Sequence, residues 1–169
     1  MLTAYADHLK RLSNDEKDPF FWHVRRRIGK RATSLMEKRM RKFVLASPLV
    51  VSRIYELSNT PEMPARLKSL GGYLLTYLYH PHDFIPEDKT GLFGYFDDAY
   101  LSAAVYDLMI KEMQEAKTQI SDKDLSLWQE ISKLKKIAAK IISEEAEKIE
   151  RMLRGIRKNE DQLYLSIFN

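Results

Sequence analysis

The chain has 169 residues with 28 Lys and Arg against 24 Asp and Glu, a formal net charge of +4 with the histidines neutral. Hydrophobic residues make up 44% and charged residues 31%, with six Gly and six Pro, so one mildly basic, helix-rich domain over 1–169 is expected rather than a disordered chain. The absence of cysteine excludes a disulfide framework, a thiolate metal site and a cysteine nucleophile.

The first fifteen residues carry Asp7, His8, Lys10 and Arg11 instead of the apolar run of a secretory signal, so a cytoplasmic location is expected. The uncharged stretch 69–79 is well short of the roughly 20 residues that cross a bilayer, so no transmembrane span is expected. The pattern predicts an all-α fold, a single bundle of about six helices with a long C-terminal helix.

In chain order, a short helix is predicted over 3–12, then a polar stretch at 13–18. Pro19 follows and suits a first helical turn, where its missing N–H would be unpaired anyway. A long helix is predicted from there to about residue 46. Its stripe of Ile28, Ala32, Leu35, Met36, Met40 and Phe43 recurs at three- and four-residue steps and is expected to be buried. Ser47 and Pro48 are expected to start another helix, reaching residue 57. Leu67, Leu70, Leu74, Leu75 and Leu78 mark a fourth, closed where Pro81 pushes His80 out of the helical region. Gly71 and Gly72 within it point to a neighbouring backbone at close range.

A fifth helix beyond Gly94 is apolar on both sides, with Phe96, Ala99, Ala103, Tyr106, Ile110 and Met113 on one and Leu101, Ala104 and Leu108 on the other. That marks a central element. Ser121 or Asp122 caps a last helix of about 35 residues. Its seam, Ile131, Leu134, Ala138, Ile142, Ala146, Ile149, Leu153 and Ile156, runs without a break. Glu144 with Lys148, Glu147 with Arg151 and Glu150 with Arg154 are favourably ordered i,i+4 pairs on its solvated side. The seam is expected to pack within the chain, with packing on a second copy as the alternative.

Between the fourth and fifth helices runs Tyr77-Leu78-Tyr79-His80-Pro81-His82-Asp83-Phe84-Ile85-Pro86-Glu87, and then Gly94-Tyr95-Phe96-Asp97-Asp98. Over 66–108 this segment resembles the YkvA-like family, a domain of unknown function that is bacterial in the main. Pro81, Asp83, Ile85, Pro86, Gly94, Asp97 and Asp98 match the family's pattern, while His82 stands where an aliphatic residue is usual and Glu87-Asp88 where a single aspartate is usual. The resemblance implies no established activity, although some members look membrane-associated.

His80, His82, Asp83, Asp97 and Asp98 form an imidazole and carboxylate set suited to a divalent transition metal such as Zn²⁺, Mn²⁺ or Fe²⁺. A metal-bound water with a nearby carboxylate base would make a metal-dependent hydrolase. The same residues also have ordinary structural work. Asp83 suits an Asx turn, and Asp97 and Asp98 complement a helix N-terminus for about 0.3–1 kcal/mol each. Asp97 is expected to face the loop and Asp98 elsewhere, because helical neighbours diverge by about 100°. Tyr73, Tyr77, Tyr95, Tyr100 and Tyr106 are placed to bond such carboxylates while their rings fill the core. The structural reading is preferred, with no cofactor required.

The strongest charge asymmetry lies at 25–42, where Arg25, Arg26, Arg27, Lys30, Arg31, Lys38, Arg39, Arg41 and Lys42 stand against Glu37 alone. On one continuous helix, Arg27, Lys30, Arg31, Lys38, Arg41 and Lys42 fall opposite the apolar stripe and form a cationic outer face. Such a face suits anionic lipid headgroups or nucleic acid, unless acids elsewhere on the surface balance it. The membrane surface is the better partner, since no zinc finger, RNA-binding glycine loop or interleaved stacking aromatics accompany the charges. Phe20, Phe21 and Trp22 are placed as interfacial anchors or, more simply, as core.

No phosphate-binding glycine loop, dinucleotide fingerprint, nucleophile elbow or His-Glu-x-x-His occurs. The resulting expectation is a non-enzymatic interaction module for a protein partner, a second copy or an anionic surface, with the metal-dependent hydrolase as its alternative.

Overall fold

The computed structural model describes residues 2–61, 63–78 and 84–157, and among these the chain is helical with no strand. Helices α1 (Leu2–Ser13), α2 (Phe20–Ile28), α3 (Ser34–Ser58), α4 (Ala65–Tyr77), the single turn α5 (Glu87–Thr90), α6 (Phe96–Glu115), α7 (Asp122–Ile141) and α8 (Ser143–Arg157) follow in order. Two 3-10 turns, Gly29–Arg31 and Gly91–Tyr95, precede α3 and α6. The all-α bundle is as the periodicity predicts. Helix α6 is its axis: it packs on α3, α4, α7 and α8, and every residue from Phe96 to Asp107 is buried.

Three expected boundaries are corrected. The predicted helix over 19–46 is interrupted at Gly29, whose φ of 60° closes α2, and restarts where the Thr33 hydroxyl accepts the Met36 N–H at 3.1 Å. The expected break at Ser47 and Pro48 is absent, and α3 continues through both. Pro48 has no N–H for the Val44 carbonyl four residues back, and the Ser47 hydroxyl donates to that carbonyl instead at 2.8 Å. The expected C-terminal helix of about 35 residues is two helices, α7 and α8. The chain bends at Ile142 (φ −112°, ψ 51°), which lets adjacent Ile141 and Ile142 both be buried while α8 turns onto α6. The apolar seam survives the bend: Ile131, Leu134, Ala138, Ile142, Ala146, Ile149 and Leu153 are all buried within this chain.

Gly71 and Gly72 differ from one another. A methyl at Gly71 would strike the Ser58 hydroxyl at the end of α3, a side chain rather than the expected backbone, whereas Gly72 has open space. Gly94 is the position where backbones meet, since a Cβ there would lie 2.6 Å from the Glu87 Cα.

Polar ties fix the packing of the long helices. Arg53 on α3 donates from Nε and Nη2 to the two oxygens of Asp124 on α7, both at 2.8 Å, and the Tyr106 hydroxyl on α6 donates to the same carboxylate at 2.9 Å. Burial alone would raise Asp124, but the hydrogen bonds from Arg53, Ser121 and Tyr106 outweigh it and hold the carboxyl at about 2. Ser121 caps α7, accepting the Asp124 N–H at 3.1 Å.

Candidate functional site

Two charge-rich regions were singled out by the sequence. His80, Pro81, His82 and Asp83 lie outside the described residues. Ile85, Gly94, Asp97 and Asp98 are buried and Pro86 is exposed. One Asp97 oxygen accepts the Tyr77 hydroxyl of α4 and the backbone N–H of Ile85, both at 3.2 Å, so a single carboxylate joins α4, the loop at 84–86 and α6. Asp98 turns the other way, accepting the Tyr5 hydroxyl of α1 at 3.4 Å, and Tyr5 also lies 3.3 Å from the Ser47 hydroxyl of α3. Burial and then the Asp98 charge push the Tyr5 hydroxyl well above its ordinary range, which keeps it a donor.

Tyr5 carries no local signal of this role, because it lies 93 residues from Asp98 and only the packing of α1 brings it there. Of the other tyrosines, Tyr95 bonds His8 at 2.8 Å, Tyr100 donates to Glu150 at 3.1 Å, Tyr106 reaches Asp124, and Tyr73 approaches the Met152 sulfur. Glu150 thus meets Tyr100 and, at 3.6 Å, Lys135. Among the described residues no group of three His, Asp or Glu side chains is arranged to hold a metal ion.

The basic segment is rearranged relative to expectation. Of the six cations predicted to face outward, three are engaged with acids of neighbouring elements. Arg27 forms a two-pronged pair with Glu145 of α8 (2.7 and 3.0 Å), and Lys42 meets Glu130 of α7 at 2.5 Å. Arg41 joins Asp18 at 2.7 Å and Glu37 at 3.0 Å while lying over the Phe20 ring. Lys30, Arg31 and Lys38 remain exposed, and Arg25, Arg26 and Arg39 join them. Among the described residues no acid lies within 4.0 Å of these six.

The break at 29–33 puts the α2 cations out of phase with one continuous helix, and on α3 the acids Asp18, Glu37 and Glu130 select which cations are engaged. The apolar side chains divide as well. Leu35, expected in the buried stripe, is 60% exposed; Phe20 is fully buried, but its near neighbour Trp22 is 56% exposed. Trp22, Arg25 and Arg26 stand at i, i+3 and i+4 on α2, and Leu35, Lys38 and Arg39 repeat that spacing on α3. The facing ends of α2 and α3 therefore each show solvent an exposed large apolar residue followed by two cations, with Lys30 and Arg31 in the turn between them. The Arg26 guanidinium lies 5.3 Å over the Trp22 ring, and Trp22, Arg25 and Arg26 line a surface hollow of about 450 Å³. A wheel broken at Gly29 would have shown this repeat in the sequence.

Among the described residues no helix is long and apolar enough to cross a membrane. The chain matches no protein-family profile, no curated protein and no solved structure. The resemblance at 66–108 therefore rests on its motif.

Proposed function

We propose that this protein is a non-enzymatic helical interaction module that docks peripherally on an anionic membrane surface through the 22–39 edge, at the cytoplasmic leaflet. The observation that carries this reading is the repeated triad, Trp22-Arg25-Arg26 and Leu35-Lys38-Arg39, with both apolar residues more than half exposed and the cations lacking acidic partners among the described residues. An exposed Trp is costly to hydrate and suits the headgroup boundary, where its ring is apolar and its N–H stays wet. Arg and Lys keep their charges at the headgroups while their stems cover apolar surface. Each basic residue near such a surface contributes about 1 kcal/mol, so six support reversible binding without a spanning helix.

Nucleic acid would use the same charges but makes poorer use of Leu35, and the segment shows one aromatic ring where a stacking platform needs several. The test is co-sedimentation with vesicles of phosphatidylcholine, with and without phosphatidylserine. Binding is expected to the anionic vesicles only, to fall steeply between about 50 and 200 mM salt, and to be lost in Arg25→Ser/Arg26→Ser. Trp22→Ala is expected to weaken it while leaving the salt dependence intact. Equal binding to neutral vesicles, or tighter binding to a random oligonucleotide than to anionic vesicles, overturns the proposal.

A further inference from the structure

On the α6 and α7 face lies a second cationic region that the membrane reading does not use. A cleft of about 530 Å³ there is walled by Lys111 of α6 and by Trp128, Lys133, Lys135 and Lys136 of α7, with Asp107 at its floor. That volume is within the range of small-ligand sites, about 300–1,000 Å³. Asp107 arranges the walls: one oxygen accepts the Trp128 indole N–H at 2.7 Å, and the other accepts Lys111 at 2.8 Å and Lys135 at 3.2 Å. Burial opposes its ionisation, but the Lys111 and Trp128 hydrogen bonds and the Lys135 charge prevail and hold its carboxyl below the usual range. A fixed carboxylate thus sets the positions of two ammonium groups and an indole before any ligand arrives.

The lining carries four lysines against one aspartate, and with Glu150 beside Lys135 the local excess is two positive charges. An ammonium has three donors, and Asp107 takes one from each of Lys111 and Lys135. Lys135 also stands 3.6 Å from Glu150 with only 16% of its side chain exposed, so water screens it poorly. Lys133 and Lys136 are exposed and have no acid within 4.0 Å among the described residues. Ammonium groups act as point charges and suit tetrahedral phosphate oxygens, whereas flat carboxylates are matched best by the guanidinium fork. The cleft also exceeds what a phosphate fills, and the room beside the Trp128 ring fits a small organic part.

We infer that this cleft binds a small phosphorylated compound, a phosphate ester or diphosphate, with Lys111, Lys133, Lys135 and Lys136 holding its phosphate oxygens. The inference is independent of the membrane reading, because no cleft residue belongs to the 22–39 edge.

The test titrates inorganic pyrophosphate at constant ionic strength into protein carrying Trp22→Phe, which leaves Trp128 as the one tryptophan. The expected result is a saturable change in Trp128 emission, with amide shifts confined to 107–111 and 128–136. Lys133→Gln/Lys136→Gln, both at exposed positions, is expected to weaken binding at least about tenfold with unchanged helical circular dichroism. Competition in the Arg25→Ser/Arg26→Ser background separates the two sources of phosphate. Displacement by vesicles bearing a phosphorylated inositol lipid assigns a headgroup, and no displacement assigns a soluble ester. Shifts scattered over all surface cations, an equal response to chloride, or unchanged affinity in the double variant overturns the inference.

Discussion

The Asp97–Asp98 pair and the 22–39 edge are both dense in charge, and they are built in opposite ways. Each aspartate is at most 2% exposed and receives hydrogen bonds from elements distant in sequence: Asp97 from Tyr77 and Ile85, Asp98 from Tyr5. The six edge cations are exposed, and among the described residues none has an acidic partner. A buried charge survives only where donors replace its lost water, so its partners reveal which segments it ties together. An exposed charge without a partner keeps its water and adds little to the fold, so its electrostatic energy is available to something outside the molecule.

Asp97→Ala is the largest expected break in this contrast. It leaves the Tyr77 hydroxyl and the Ile85 N–H without the acceptor they share in a buried place. The expected loss is about 3 kcal/mol, equivalent to roughly 10 °C in Tm for a chain of this length. Asp97→Asn keeps one acceptor oxygen and is expected to recover part of that loss. Thermal denaturation followed at 222 nm reads both, and an unchanged Tm in Asp97→Ala would remove the structural role assigned to this carboxylate.

A finer contrast lies inside one helix, two residues apart. Arg41 serves Asp18, whose side chain is 2% exposed and whose other oxygen accepts the Leu92 N–H at 3.0 Å; Arg39 faces solvent. Asp18 also sits against Gly91, whose φ of 59° turns the chain toward α6, so Arg41 supports that turn through the carboxylate. Arg41→Gln is expected to cost about 2 kcal/mol and Arg39→Gln less than about 0.5 kcal/mol. In vesicle binding the order is expected to reverse, with Arg39→Gln the more damaging. Chemical denaturation and co-sedimentation on the same pair of variants check both halves, and equal costs in denaturation would erase the distinction between tied and free cations.

Much of the architecture was legible because it rests on period and on residues at helix ends. The two apolar sides of α6 announced its central place, and Ser121 marked the start of α7. Of the misplaced boundaries, the one at Gly29 carries a local signal, a glycine after three arginines and before the Thr33 cap, while the other two are decided by contacts with no local pattern. Pro48 is tolerated because the adjacent Ser47 occupies the freed carbonyl, and the bend at Ile142 answers to packing on α6. Five of the six cations expected on the outer face are exposed, but Arg27, Arg41 and Lys42 are tied to acids that only the packing of distant segments brings within reach. The cleft around Asp107 was missed, since its lysines are spread over two helices and resemble a solvated surface until those helices pack.

The smallest expected effect concerns the boundary between tied and free groups, where His23 sits beside Trp22. The Trp22 ring meets its edge at 4.8 Å, and the Phe93 ring of the core stacks on it at 5.2 Å, so His23 joins the exposed edge to the buried aromatic cluster. Burial lowers its pKa, the Arg26 and Arg27 charges lower it further, and Asp18 opposes them. A lowered value in the folded state means that folding favours the neutral ring. Its contribution to stability is therefore complete above the ordinary histidine value of about 6.5 and is lost as the pH falls through the lowered one. Between pH 7.5 and 5 the wild-type Tm is expected to decline slightly more than that of His23→Gln, in which the ring no longer takes up a proton. Protonation adds a cation beside Trp22 as well, so anionic-vesicle binding is expected to strengthen over the same interval more in the wild type than in His23→Gln. A Tm difference of opposite sign would place the preferred protonation state of the folded protein on the charged side and detach His23 from the aromatic cluster.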